Sequence, residues 1–167
     1  MRGSGVPDGG EGGGARFTRR SRRGVATGST REVTGMWRGA AALCVDDRGR
    51  VLLVLGGDER KRWGLPGGGA EAHESLAECY RREVWEETGY RVAIGPELCV
   101  KTRSPVLPDE FELHVFEAHL VGGSGKPQDP DGEVETAAWF GIADLPPLQF
   151  HFPEDKDLVL HHLRQRG

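Results

Sequence analysis

Cysteine is scarce: Cys44, Cys79 and Cys99 are the three present, widely spaced and without a CxxC pair. Neither a disulfide framework nor a zinc site is suggested, and each thiol reads as a small buried apolar side chain. Long apolar runs are missing too. No stretch approaches the ~20 consecutive apolar residues of a membrane span, and the N-terminus has no apolar core of a secretory signal. The expectation is a soluble, cytoplasmic protein with no membrane partner. Positive charge is concentrated at the N-terminus, where residues 1–31 carry seven arginines against Asp8 and Glu11. The net charge of −4 therefore leaves −9 for residues 32–167. A folded part this acidic lacks the basic surface that displaces counterions from nucleic acid, and it is suited to holding metal cations.

With 167 residues, 37% of them hydrophobic, the chain has room for one domain and a tail. Residues 1–34 are rich in glycine and arginine and nearly devoid of apolar side chains, so burial cannot offset their ordering entropy. They are expected to be a disordered tail, and residues 35–167 the domain. Ala40-Ala41-Ala42-Leu43-Cys44-Val45 and Val51-Leu52-Leu53-Val54-Leu55 flank Asp46-Asp47-Arg48-Gly49-Arg50. That pattern predicts two buried strands joined by a hairpin turn. In Trp63-Gly64-Leu65-Pro66-Gly67-Gly68-Gly69, four glycines and a proline argue against a regular element and for a loop whose backbone can approach a ligand.

Ser75 with Glu78 three residues on makes a capping box, and Gly89 is placed for a left-handed stop, predicting a helix over residues 76–88. Strands are predicted over residues 91–102, 111–121 and around 137–140, and a second helix over 155–165. The order strands, helix, strands, helix indicates an α+β domain with a mixed β-sheet between helices.

On the first helix Glu83 and Glu87 are four residues apart and Glu86 is three from Glu83, so three carboxylates share one face. Unpaired, they repel; a hard cation with oxygen ligands turns that repulsion into binding. Arg82, four before Glu86, can pair with it. For such a cluster alone, an exposed acidic face with ordinary pairs to Arg81 and Arg82 is the simpler explanation. The spacing around it changes the balance. From Gly68, five residues precede Glu74, seven more precede Arg82-Glu83-Val84, and Trp85, Glu86-Glu87, Thr88, Gly89 and Tyr90 follow. Chance produces these fixed positions about once in a million starting points or less.

This stretch resembles the Nudix box, G-x5-E-x7-R-E-U-x-E-E-x-G-U, with Tyr90 where an aliphatic residue is common. The resemblance implies a Nudix-type α/β/α sandwich and a Mg²⁺-dependent hydrolase (Mn²⁺ as the alternative). It makes Glu83 and Glu87 principal metal ligands, Glu86 a further one and the Gly68 carbonyl another. Glu74, Arg82 and Gly89 are implied to hold loop and helix together. The base that takes the proton of the attacking water is left open among Glu86, Glu133, Glu135 and Glu110. The catalytic set carried forward is Glu83, Glu86, Glu87 and Glu135. Arg62, Trp63, Pro105 and Glu110 are the substrate-binding candidates.

Pro105 falls sixteen residues after Gly89, in an SP…DE order that looks like ADP-ribose pyrophosphatases of the family. ADP-ribose or a nucleotide sugar is accordingly the expected small-molecule substrate, and a homodimer is compatible with that likeness. The alternatives are a (d)NTP pyrophosphatase and a non-catalytic nucleotide-binding module. Trp63, Phe111, Trp139 and Phe140 could stack on a base, though most read as core; His151, His161 and His162 are assigned no role.

Overall fold

The computed structural model describes residues 36–104, 110–129 and 132–166, so the expected tail lies outside the described residues. Seven strands and two α-helices follow one another among them. They are β1 (Trp37–Cys44), β2 (Val51–Gly56), β3 (Trp63–Gly64), β4 (Gly67–Gly69), α1 (Leu76–Thr88), β5 (Tyr90–Lys101), β6 (Phe111–Gly123), β7 (Val134–Phe140) and α2 (Pro153–Arg166).

β1 explains the layering. Successive side chains of a strand point to opposite faces. Ala41 and Leu43 join a core that includes Leu53, Val115, Leu145, Val159 and Leu163 on the α2 side. Ala40, Ala42 and Cys44 join Leu52, Cys79, Tyr80 and Val84 on the α1 side. A strand covered on both faces must be apolar throughout, which is why its second half shows no alternation. The result is an α/β/α sandwich.

The strands form two sheets. One is mixed, in the order β4-β1-β6-β5, with β1 parallel to β6 and antiparallel to β4; the other is antiparallel, β3-β2-β7. The predicted hairpin between β1 and β2 is therefore corrected. The turn exists, with Asp46 accepting hydrogen bonds from the Arg48 and Arg50 amides and from the Arg50 guanidinium. Beyond the Val45–Val51 bridge, however, the strands part, because each finds other partners. The glycine-rich segment likewise contains two short strands, β3 and β4, around Leu65 and Pro66.

α1 has the predicted bounds. The Ser75 side chain accepts the Glu78 amide, the Glu78 carboxylate accepts the Ser75 amide, and Gly89 sits at φ 68°. α2 begins two residues before the expected start, with Pro153 at its first turn, where the missing N–H costs nothing. No helix among the described residues is long and apolar enough to cross a membrane.

At Gly67, β4 has room for glycine only. A Cβ on Gly67 would stand 2.6 Å from the Cα of Ala41, a backbone atom that cannot rotate away. Gly67→Ala should therefore lose about 1–3 kcal/mol in urea unfolding. Gly122→Ala, with nothing within 4 Å of its added methyl, should stay within about 0.5 kcal/mol.

Candidate active-site cleft

α1 lies across the β4 edge of the mixed sheet, and its carboxylates meet the glycine backbone there. The Gly67 amide donates to Glu87 Oε2 at 2.7 Å. A Cβ on Gly68 would stand 2.6 Å from the Glu83 carboxyl carbon, so the bare glycine lets that carboxylate lie on the strand. The Gly68 carbonyl accepts a weak bond from Cys79 Sγ at 3.4 Å, leaving its second lone pair.

Arg82 gathers the surrounding acids. It donates to both oxygens of Glu74 at 2.8 Å, to the Gly69 carbonyl at 3.0 Å, to Glu83 at 2.6 Å and to Glu86 at 3.3 Å. The predicted Arg82–Glu86 pair thus exists but is the longest of the five. Three of the five run to Glu74 and Gly69 of the entry loop, so this guanidinium ties loop to helix. Among the described residues no three acidic, histidine or cysteine side chains are already gathered closely enough to hold a metal ion. Arg82 draws Glu83 and Glu86 to itself while Glu87 turns to Gly67.

The C-terminal end of α1 brings in a second group of acids. The Gln128 amide donates to the Glu86 carbonyl at 2.7 Å and the Ser124 amide to that of Gly89 at 3.1 Å. The loop so fastened delivers Asp129, whose carboxylate accepts the Val134 amide at 2.8 Å, and Glu133, whose carbonyl accepts the Gly57 amide at 2.9 Å. Glu83, Glu86, Glu87, Asp129 and Glu133 all line one cleft of about 890 Å³. Burial pushes the Glu87 carboxyl well above the ordinary glutamate range, and the charge of Glu83 adds to it, with smaller pushes from Asp129 and Glu133.

The other candidates divide. Arg62 lines the cleft, 3.3 Å from Asp58, with its Nε making no hydrogen bond. Trp63 does not; its indole packs edge-on to Phe140, ring centroids 4.6 Å apart, as a core residue. Its main chain pairs with Gln149 and His151, which brings His151 to the cleft. The assignment of no role to His151 as a surface residue is thus corrected: burial and the Arg62 charge hold its imidazole below the usual histidine range. Glu135 pairs with Lys61 and Glu110 is exposed, and neither lines the cleft. Pro105 lies outside the described residues. Trp139 donates to the Tyr90 hydroxyl at 3.1 Å, and Phe111 is buried.

Sequence reasoning missed Asp129, Trp37, and the Lys101–Asp155 ion pair, all of which line the cleft. Asp129 stands among turn residues, where a lone aspartate is ordinary. The others are joined to the site only by strand pairing and helix packing.

An α/β/α sandwich thus sets an acidic helix against a glycine strand at the edge of one cleft. The NUDIX domain model matches residues 36–162, and the chain belongs to the Nudix family. It is 35% identical over 111 residues to a putative 8-oxo-dGTP diphosphatase of Bacillus subtilis, covering 65% of this chain and 69% of that one. It is 36% identical over 120 residues to the NAD-capped RNA hydrolase NudC of Chromobacterium violaceum, covering 68% and 42%. A crystal structure of an ADP-ribose pyrophosphatase from Streptococcus suis superposes with TM-score 0.61 at 23% identity, over 80% of this chain and 96% of that one. At that identity the likeness shows the fold. The chain spans between 29% and 69% of the length of the first curated relatives.

The raised Glu87 carboxyl sets a pH dependence. Between the ordinary glutamate range and its raised folded value, the folded state binds more protons than the unfolded, so stability falls as pH rises. Without divalent metal, the melting temperature should drop across that window. Glu87→Gln should flatten the slope, and an unchanged slope in that variant would assign it to another group.

Proposed function

We propose that the chain hydrolyses the diphosphate linkage of a nucleoside diphosphate attached to another moiety, with Mg²⁺ as cofactor and Mn²⁺ able to replace it. The observation that carries this reading is the gathering of Glu83, Glu86, Glu87, Asp129 and Glu133 on one cleft. The donor set fits the metal: all are hard oxygen ligands, and a bound cation offsets both the burial and the neighbouring charge of Glu83 that raise Glu87. Glu83, Glu87 and Glu86, with the Gly68 carbonyl, would hold it. When bound, the metal neutralises phosphate oxygens and acidifies water.

The chain's own groups supply the rest. The Gly67 amide fixes one oxygen of Glu87, and Arg82 sets the directions of Glu83 and Glu86 from one side. Of the four candidate bases, Glu86 and Glu133 line the cleft, and Glu86 is already assigned above to the metal. We assign proton abstraction from the attacking water to Glu133, held at the start of β7 by the Gly57 amide. Glu135 and Glu110 are not carried further in this role.

ADP-ribose or a nucleotide sugar is the proposed substrate, supported by the placement of Pro105 in the sequence. A nucleoside triphosphate is the second reading. It is favoured by the relative of which this chain covers 69%, a putative 8-oxo-dGTP diphosphatase.

Anion-exchange analysis after incubation with Mg²⁺ and ADP-ribose, other nucleotide sugars, dinucleoside polyphosphates or (d)NTPs separates these readings. AMP plus ribose 5-phosphate is expected from ADP-ribose. Turnover confined to triphosphates would move the substrate to the second reading, and turnover of none would overturn the hydrolase. Glu87→Gln should lower kcat by several orders of magnitude with the fold retained. Glu133→Gln should lower it by about 10²–10⁴.

A further inference from the structure

Tyr90, the first residue of β5, joins three parts of the fold. Its amide donates to Thr88 Oγ1 at 3.1 Å, and that hydroxyl donates to the Val84 carbonyl at 2.6 Å, so the Tyr90 backbone is tied to α1. Its own hydroxyl accepts the Trp139 indole N–H of β7 at 3.1 Å, and the two rings meet edge to face with centroids 5.6 Å apart. The ring also lies against Gly125, at φ 70° in the loop after β6. A Cβ on Gly125 would stand 2.5 Å from the Tyr90 hydroxyl oxygen and 2.8 Å from Cζ. Tyr90 therefore touches the chain on both sides of Asp129 and Glu133.

Packing alone does not call for the oxygen. An aliphatic side chain would fill much of the same space but would leave the indole N–H without its acceptor. What the hydroxyl adds is a fixed spacing between Gly125 and Trp139. The segment between them is pinned at further points. The Gln128 amide donates to the Glu86 carbonyl at 2.7 Å, the Val134 amide to the Asp129 carboxylate at 2.8 Å and the Gly57 amide to the Glu133 carbonyl at 2.9 Å. α1, the loop and β7 thus make a closed frame with Tyr90 at its corner. A change of spacing at that corner carries Asp129 and Glu133 relative to the carboxylates of α1, and a misplacement of about 1 Å can cost about 10²-fold in rate.

We propose that Tyr90 is a positioning residue for hydrolysis: its hydroxyl, held by Trp139 and seated on Gly125, sets where Glu133 stands against the acidic face of α1. Tyr90 lies outside the residues that line the cleft and acts through that carboxylate. This rests on the assignment of proton abstraction to Glu133. It adds the residue that keeps the base in place.

Tyr90→Phe in the full chain removes one oxygen and keeps the ring, and two readouts test it. The first is amide hydrogen exchange followed by NMR, without substrate. Exchange at the Val134 and Gly57 amides should quicken by about 10-fold or more, while the Gly67 amide, bonded to Glu87, stays within about 2-fold of wild type. The second is hydrolysis of ADP-ribose in Mg²⁺. Tyr90→Phe should lower kcat by about 10- to 100-fold with KM within about 2-fold. In Glu133→Gln, which already lacks the base, adding Tyr90→Phe should change kcat by less than about 2-fold, because one residue acts through the other. Losses that multiply in the double variant would show a general structural role and overturn the proposal, as would unchanged exchange at Val134 and Gly57. Wild-type kcat in Glu133→Gln, or no turnover by the wild type, would overturn the base assignment and leave the exchange rates to decide whether Tyr90 places the loop.

Discussion

The contact between α1 and the glycine strand β4 is the constraint on which the rest depends. Glu83 can lie against the sheet edge because Gly68 has no side chain to displace it, and the bare Gly67 lets β4 come close to β1. The Gly67 amide, an edge donor, is satisfied by Glu87 instead of by another strand. Helix position, carboxylate direction and strand pairing are thereby coupled: β4 stays paired with β1 only at a distance that also seats the glutamates. The capping box and the left-handed Gly89 fix the length of α1, so its acidic face ends beside the loop that carries Asp129 and Glu133.

The cost of this arrangement is electrostatic. Several carboxylates face one volume, and part of their repulsion is met by Arg82, which holds Glu74, Glu83, Glu86 and the Gly69 carbonyl together. Glu87, which Arg82 does not reach, has its proton affinity raised by burial first and by the charge of Glu83 second. A folded state that keeps like charges unneutralised is less stable than one that does not, and such departures from local consistency mark functional sites. The cleft is polarised accordingly, with acids at the β4 edge and an apolar floor with the buried Lys101–Asp155 ion pair at the β5 edge.

Local signals carried most of what the sequence revealed. α1 was legible to the residue because its start and stop are written in Ser75, Glu78 and Gly89, within one turn of the ends they define. The glutamate cluster was legible because its spacing lies within one helix. The division of β1 and β2 between two sheets was not, since turn chemistry at Asp46 specifies the reversal and not the partners beyond it. Asp129, His151 and the Lys101–Asp155 pair come from loops and elements far apart in the chain, and only the register of β5 on β6 and the packing of α2 bring them to the cleft. Trp63 illustrates the opposite error: it neighbours the glycine strand in sequence, but its indole packs into the core against Phe140.

On the proposed function, the α1 carboxylates together hold the divalent metal. Titration of Mn²⁺ into the full chain, followed by the loss of the free-ion paramagnetic resonance signal, tests it most directly. The wild type is expected to bind Mn²⁺ competitively with Mg²⁺. Glu87→Gln and Glu83→Gln should each weaken binding by about 10-fold or more, since each removes a charged oxygen ligand while the fold is retained. Equal Mn²⁺ affinity in the wild type and in a folded Glu83→Gln/Glu87→Gln double variant would place the metal elsewhere and contradict the claim.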